Sequence, residues 1–137
     1  MMSVNAFKGV ELGAGFASSA VFGSELHDEI LYEHSKITRA SNNAGGIEGG
    51  MSNAQPIHVK VSMKPISTLI KPLRSIDLNT MEPKLAHKER TDSCAVPAAS
   101  IIGESMLAIV LADALLEKFG GDSLDQLKKH IKASGKY

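Results

Sequence analysis

The sequence predicts an α+β fold, an antiparallel β-sheet packed against a long buried helix. Three observations carry that prediction. Period-two apolar alternation is confined to the first half of the chain, a long apolar helical stretch with a glycine stop lies in the second, and strands and helices do not alternate. Runs of strands followed by runs of helices favour α+β over a parallel sheet with crossovers.

Taken in order, 4–16 is strand-like: Val10 and Leu12 alternate with Glu11, and Gly9 and Gly13 act as breakers. The stretch 17–41 is polar and mixed, with Glu25-Leu26-His27-Asp28-Glu29 read as a solvated turn or short helix. Residues 42–55 form a glycine loop. The strongest strand is 56–63, where Ile57, Val59, Val61 and Met63 alternate with His58, Lys60 and Ser62. A further strand over 67–77 is interrupted by Pro72, and 79–90 is polar, with Glu82-Pro83 marking a connection. The long helix runs over 97–119. Pro97 suits its first turn and Gly120-Gly121 ends it. Glu104 and Asp113 fall on opposite sides, so apolar surface wraps most of the circumference, which predicts burial. Asp122 or Ser123 caps a short amphipathic helix over 124–133 with Leu124, Leu127 and Ile131 on one face. Residues 134–137 read as a frayed tail.

A chain of 137 residues fits one domain with a real core, and 15 basic against 15 acidic residues leave no net field to attract nucleic acid or an anionic membrane. With no Trp, two Tyr and four Phe, the core is aliphatic and a base-stacking platform is disfavoured. The single cysteine, Cys94, excludes an internal disulfide and favours a reducing compartment; it reads as a small buried hydrophobe at the helix entry. The N-terminus lacks a signal-peptide pattern, and the longest apolar run, Met106 to Ala112, is too short to span a bilayer. Together these predict a cytoplasmic protein.

Three segments could carry chemistry. Ser41 to Asn53 holds four glycines in six positions, and its N–H groups could cradle a phosphate; it could equally be a tight multi-turn connection. It lacks the Gly-Lys-Ser/Thr of a phosphate loop, and a strand follows it where a dinucleotide fingerprint needs a helix. Lys64-Pro65-Ile66-Ser67-Thr68 offers a cation, a rigid turn and two hydroxyls, suited to an oxyanion or to a flavin's oxygens, or merely to a strand end. Arg90 and Asp92 could fork onto an anion and shuttle a proton, or form a local ion pair or helix cap. The five histidines (His27, His34, His58, His87, His130) show no metal-binding spacing and read as structural or solvated, so no metal is expected.

In this order and spacing the segments resemble the C-terminal part of chorismate synthase. Asn5 to Phe16 (Asn-Ala-Phe-Lys-Gly-Val-Glu-Leu-Gly-Ala-Gly-Phe) is similar to one family segment, with Gly23-Ser24 and Asp28-Glu29 following as the family has them. Ser41 to Asn53, Lys64 to Thr68 and Arg90 to Pro97 match three more. The resemblance implies the family's β-α-β sandwich and a 1,4-anti elimination of phosphate from 5-enolpyruvylshikimate 3-phosphate, with reduced FMN as cofactor and a homotetramer as assembly. It implies that Asn5, Ala6, Gly49, Lys64, Pro65, Ile66, Ser67 and Thr68 line the FMN. Arg90 would meet both flavin and substrate, and Asp92 would be the proton-handling carboxylate.

Two departures from the family pattern bear on function. Ala54 stands where a glycine usually closes the glycine loop, and the arginine-rich substrate loops and two histidines of the family's larger N-terminal part have no counterpart in residues 1–137. The expectation is therefore the C-terminal part of a chorismate synthase domain, contributing part of the flavin site and inactive alone. Two alternatives are a non-catalytic module for a flavin or phosphate and an assembly element; retention of Arg90 and Asp92 argues against the first, and a stable monomer without an exposed apolar face would argue against the second.

Overall fold

The computed structural model describes residues 1–89 and 94–135. The chain divides into two compact units, Met2–Pro65 and Ile66–Tyr137 with Met1, each taken by itself below. The architecture is α+β. Four two-stranded antiparallel ribbons precede two helices among the described residues.

In the first unit, β1 (Phe7–Leu12) pairs with β6 (Val59–Met63), from Phe7 opposite Met63 to Leu12 opposite Val59, with a bulge between Phe7 and Gly9. The expected alternation on 56–63 is present: Val59, Val61 and Met63 are half-buried while Lys60 and Ser62 are exposed. Phe7 is the one fully buried large side chain among the described residues. The ribbon's polar face carries an ion pair, Lys60 Nζ to a Glu11 carboxylate oxygen at 3.0 Å. After β1 the chain turns into a 3-10 helix (Gly15–Ala20) and a four-residue helix, α1 (Gly23–Leu26), so the strand expected over 4–16 is shorter than its pattern suggested. The glycines explain this: Gly13 and Gly15 both take left-handed φ, which ends extended pairing.

Within the stretch read as polar and mixed lies a hairpin, β2 (Ile30–Glu33) with β3 (Lys36–Arg39). Its two-residue turn is His34-Ser35, with φ of 51° and 62°. Both central residues therefore adopt the left-handed backbone of a tight hairpin turn without the Asn-Gly or Asp-Gly pair that usually announces one. A second such hairpin joins β4 (Ile47–Glu48) to β5 (Met51–Ser52) through Gly49-Gly50, φ 57° and 78°.

In the second unit, β7 (Arg74–Ile76) pairs with β8 (Pro83–Leu85), Ile76 opposite Pro83. Strand β8 falls where only a connection was expected. Pro83 is tolerated because it opens an exposed strand, where no ladder bond from its nitrogen is needed. Two helices follow, α2 (Val96–Phe119) and α3 (Leu124–Ala133). Gly120 closes α2 with φ 57° and returns its N–H to the Leu116 carbonyl, as the Gly-Gly stop predicted. Ser123 caps α3, its hydroxyl accepting the Gln126 N–H at 3.3 Å. A hydrogen bond between His130 Nδ1 and the Phe119 carbonyl, 2.6 Å, ties the helices together over the buried Leu127.

The expected burial of the long helix is corrected. Only Ala99 and Gly103 are buried along α2, while Ile101, Ile102, Ile109, Val110 and Leu116 are half or more exposed. An all-round apolar helix needs cover on all sides, and the described residues of this chain do not supply it. The uninterrupted apolar run Met106–Ala112 is too short to span a bilayer, but the helix that contains it is longer. With a mean hydropathy of 1.8 over its most apolar 18 residues, α2 is by length and composition long and apolar enough to cross a membrane, because no more than two of its charged residues (Glu104, Asp113, Glu117, Lys118) fall within that stretch.

Candidate functional site

Just before β1 and its bulge, Ala6 takes a left-handed conformation, φ 67°, with its carbonyl toward the residue that follows β6. That carbonyl accepts the Lys64 N–H at 2.7 Å. Two segments far apart in sequence, Asn5-Ala6 and Lys64-Pro65, thus meet at the Phe7 end of the β1–β6 ribbon. Asn5, Lys64 and Pro65 are exposed and Ala6 is half-buried. At the opposite end of the ribbon, Gly13 donates to the His58 carbonyl (2.9 Å), His58 to Gly45 (3.1 Å) and Ala14 to the Asn43 carbonyl (2.7 Å), stitching the glycine loop to both strands. The structure therefore groups Asn5, Ala6, Lys64 and Pro65 at one end and anchors the base of the glycine loop at the other.

The glycine loop is not an open phosphate cradle. The N–H groups of residues 43–46 are all used within the protein: Asn43 and Ala44 donate to the Asp28 carboxylate, Gly45 to the Asn42 carbonyl and Gly46 to the Asn42 side chain. Asp28 fills the position an external anion would take. Its Oδ1 accepts from Ser41 Oγ (2.5 Å) and Asn43 N (2.7 Å), and its Oδ2 accepts from Ala44 N (2.9 Å). Burial raises the carboxyl's pKa, but the Ser41, Ala44 and Asn43 hydrogen bonds and the Arg39 charge together outweigh it, leaving it below the ordinary value. Sequence reasoning placed Asp28 in a solvated turn or short helix; α1 does reach Leu26, but the buried carboxylate was signalled only indirectly, by a loop whose many N–H groups require an acceptor from elsewhere. Beside the carboxylate opens a cleft of about 220 Å³ lined in part by Leu12, Gly15, Leu26, Asn43 and Glu48.

Beyond this base the loop projects the β4–β5 hairpin. The Asn53 N–H returns to the Gly46 carbonyl at 3.0 Å, and Glu48 is held by Arg39 (2.6 Å) and Asn53 (2.8 Å). At the tip, Gly49 is exposed, and a Cβ added there meets nothing within 4 Å. Its glycine answers to the turn's φ and leaves open surface around it. Ala54, which closes the loop, takes φ 66°, the conformation for which the family's usual glycine is suited. We expect Ala54→Gly to stabilise the chain by about 0.5–1 kcal/mol, the relief of left-handed backbone strain less the greater freedom of unfolded glycine. The urea midpoint measures it.

Ile66 and Ser67 are exposed and Thr68 half-buried, in a bend where Leu69 N–H reaches the Ser67 carbonyl at 3.1 Å. These three belong to the second unit, and Lys64-Pro65 to the first. Arg90 and Asp92 lie outside the described residues. Cys94 is exposed, which corrects the expectation of a buried thiol: it stands in the segment before α2, outside any packed layer. Among the described residues, no group of three or more His, Cys, Asp or Glu could hold a metal ion.

Three carboxylates have lowered pKa values: Asp28, Glu11 through its hydrogen bond with Lys60, and Asp77 through that with Lys84. A depressed folded-state pKa contributes stability that is present above the unfolded value, about 4, and lost as pH falls through the folded value. The urea midpoint should accordingly be flat from pH 7 to 5 and drop between pH 4 and 2, and Asp28→Asn should flatten part of that drop.

Small antiparallel ribbons, a long apolar helix and loops pinned to one strand pair define an α+β chain built to present turns and loop tips. The chorismate synthase family model matches residues 1–116. Chorismate synthase from Aquifex aeolicus is 59% identical over 132 residues, covering 96% of this chain and 33% of its own length. Chorismate synthase 1 of Bacillus thuringiensis is 54% identical over 138 residues, covering 100% of this chain and 35% of its own. A crystal structure of chorismate synthase superposes with a TM-score of 0.73 at 46% identity, over 97% of this chain and 32% of that one. The chain belongs to the chorismate synthase family. It spans about a third of the length of the curated relatives it matches.

Proposed function

We propose that these residues are the C-terminal part of a chorismate synthase, a lyase that eliminates phosphate from 5-enolpyruvylshikimate 3-phosphate with reduced FMN in aromatic amino-acid biosynthesis. The observation that carries this reading is the Ala6–Lys64 hydrogen bond, which brings two separate flavin-segment motifs to one end of one ribbon. The donor set there suits the cofactor: the exposed Lys64 offers a cation for a phosphate or carbonyl oxygen, and Asn5 an amide. Asn5, Ala6, Gly49, Lys64, Pro65, Ile66, Ser67 and Thr68 bind FMN, and Arg90 contacts both flavin and substrate. Reduced FMN, when bound, supplies a transient electron to the eliminating substrate, with no net redox change. Asp92 holds and moves a proton beside the flavin, and Arg90 orients the anionic substrate.

In this reading the protein is cytoplasmic and works as a homotetramer, without nucleic-acid or membrane partners. The exposed apolar flank of α2 is then covered within the intact enzyme. The isolated 137 residues are inactive because they hold only part of the site.

A hybrid tests the proposal: this chain replaces the matching third of the Aquifex aeolicus enzyme, and chorismate formation is followed with reduced FMN. Turnover by the hybrid, together with none by the isolated chain, is the expected result. A folded, flavin-binding hybrid without turnover would sink it.

A further inference from the structure

We propose that Asp28 is a positioning residue for the Gly49 hairpin: a tethered internal anion that sets the base of the glycine loop and thereby the place of its tip. The inference deepens the flavin reading, since Gly49 matters to function through that reading. Two struts run from Asp28 to the hairpin. Its carboxylate takes the Ser41 hydroxyl and the Asn43 and Ala44 N–H groups, fixing the turn from which β4 departs. Its backbone carbonyl accepts Arg39 Nη1 at 3.4 Å, while Nη2 of the same guanidinium holds Glu48, the residue before Gly49, at 2.6 Å. Arg39 thus connects Asp28 directly to the base of the hairpin tip. The Asn43 side chain adds a third tie, donating to the Leu26 carbonyl at 2.8 Å on the segment that carries Asp28. Four of these donors, the Ser41 hydroxyl, the Asn43 and Ala44 N–H groups and Arg39 Nη1, converge on Asp28, which is only 9% exposed, and no buried side-chain polar atom among the described residues lacks a partner. The network is closed, so one altered atom is felt throughout it.

Asp28→Asn is the sharpest probe. It keeps size and shape but turns one acceptor oxygen into an amide that must face a donor, either Ala44 N–H or the Ser41 and Asn43 pair. Amide hydrogen exchange in the 137-residue chain reads the result. Ala44 reports the loop base, Asn53 the closure of the hairpin, and Lys64 the far end of the ribbon as control. In the variant, exchange at Ala44 and Asn53 should rise about tenfold or more while Lys64 keeps its protection. Unchanged protection at Asn53 relative to Lys64 overturns the proposal. Should Asp28→Asn fail to fold, Ser41→Ala removes one donor and leaves the carboxylate in place; the same ranking of amides is expected at smaller amplitude, and equal behaviour of Asn53 and Lys64 again overturns it.

A titration with reduced FMN separates this inference from the reading beneath it. In the wild-type chain the Gly49 and Lys64 amide resonances should shift, and Asp28→Asn should lose the Gly49 response while keeping that of Lys64. Equal responses in variant and wild type overturn the positioning role. No response at Gly49 or Lys64 in the wild type counts against the flavin reading, and the exchange ranking then decides the role of Asp28 without it.

Discussion

Gly13→Ala and Gly45→Ala are each expected to abolish stable folding of the first unit, a loss of roughly 4 kcal/mol or more. The two glycines face each other backbone to backbone. A Cβ at Gly13 would collide with the Asn43 carbonyl oxygen and lie 2.5 Å from the Gly45 nitrogen; one at Gly45 would strike the Gly13 nitrogen. Both positions also hold left-handed φ, 56° and 67°, which a side chain disfavours by about 1–2 kcal/mol even in open space. Neither collision involves a flexible side-chain end that could swing away. The backbone itself must retreat, and with it the hydrogen bonds from Gly13 to His58 and from His58 to Gly45. Gly49→Ala is the matched control. Its φ of 57° is nearly the same, yet its Cβ meets nothing, so about 0.5–1 kcal/mol is the expected loss, the left-handed cost less the greater freedom of unfolded glycine. Urea unfolding of the three variants decides the matter; equal losses at Gly13 and Gly49 would show that close approach contributes nothing.

Asp92→Asn in the hybrid enzyme is expected to lower kcat by about 10²- to 10⁴-fold, the range for a positioned general acid–base group. That corresponds to roughly 3–5 kcal/mol of transition-state stabilisation. Asparagine keeps the shape and can still hydrogen-bond, so flavin affinity and KM should change little while proton transfer fails. Arg90→Ala should show the opposite split, raising KM for the anionic substrate more than it lowers kcat, as the binding role proposed for its guanidinium requires. A variant of Asp92 that loses affinity and keeps kcat would assign that residue to binding.

Much of the fold was legible because some elements depend on local chemistry alone. The cap at Ser123, the stop at Gly120 and the alternation from Val59 to Met63 are each decided within a few residues. The His34-Ser35 hairpin was not legible, since neither residue type announces positive φ. Strand β8 hid behind its own proline. The exposure of α2 and of Cys94 depends on what packs against them, which composition cannot report. The candidate site divides in the same way. Its lysine, prolines and glycines mark themselves, whereas the acceptor that organises the loop, Asp28, lies far from its donors in sequence and looks like any solvated acid.

That built-in carboxylate also bears on the chemistry around it. Loops lined with backbone amides commonly collect whatever oxyanion is abundant, and their shape then tracks the buffer. Here the occupant is covalently attached, so free anions compete against a very high local concentration. In the proposed function the intact enzyme liberates phosphate at every turnover, and a loop whose anion site is already filled by Asp28 holds one shape as that product accumulates.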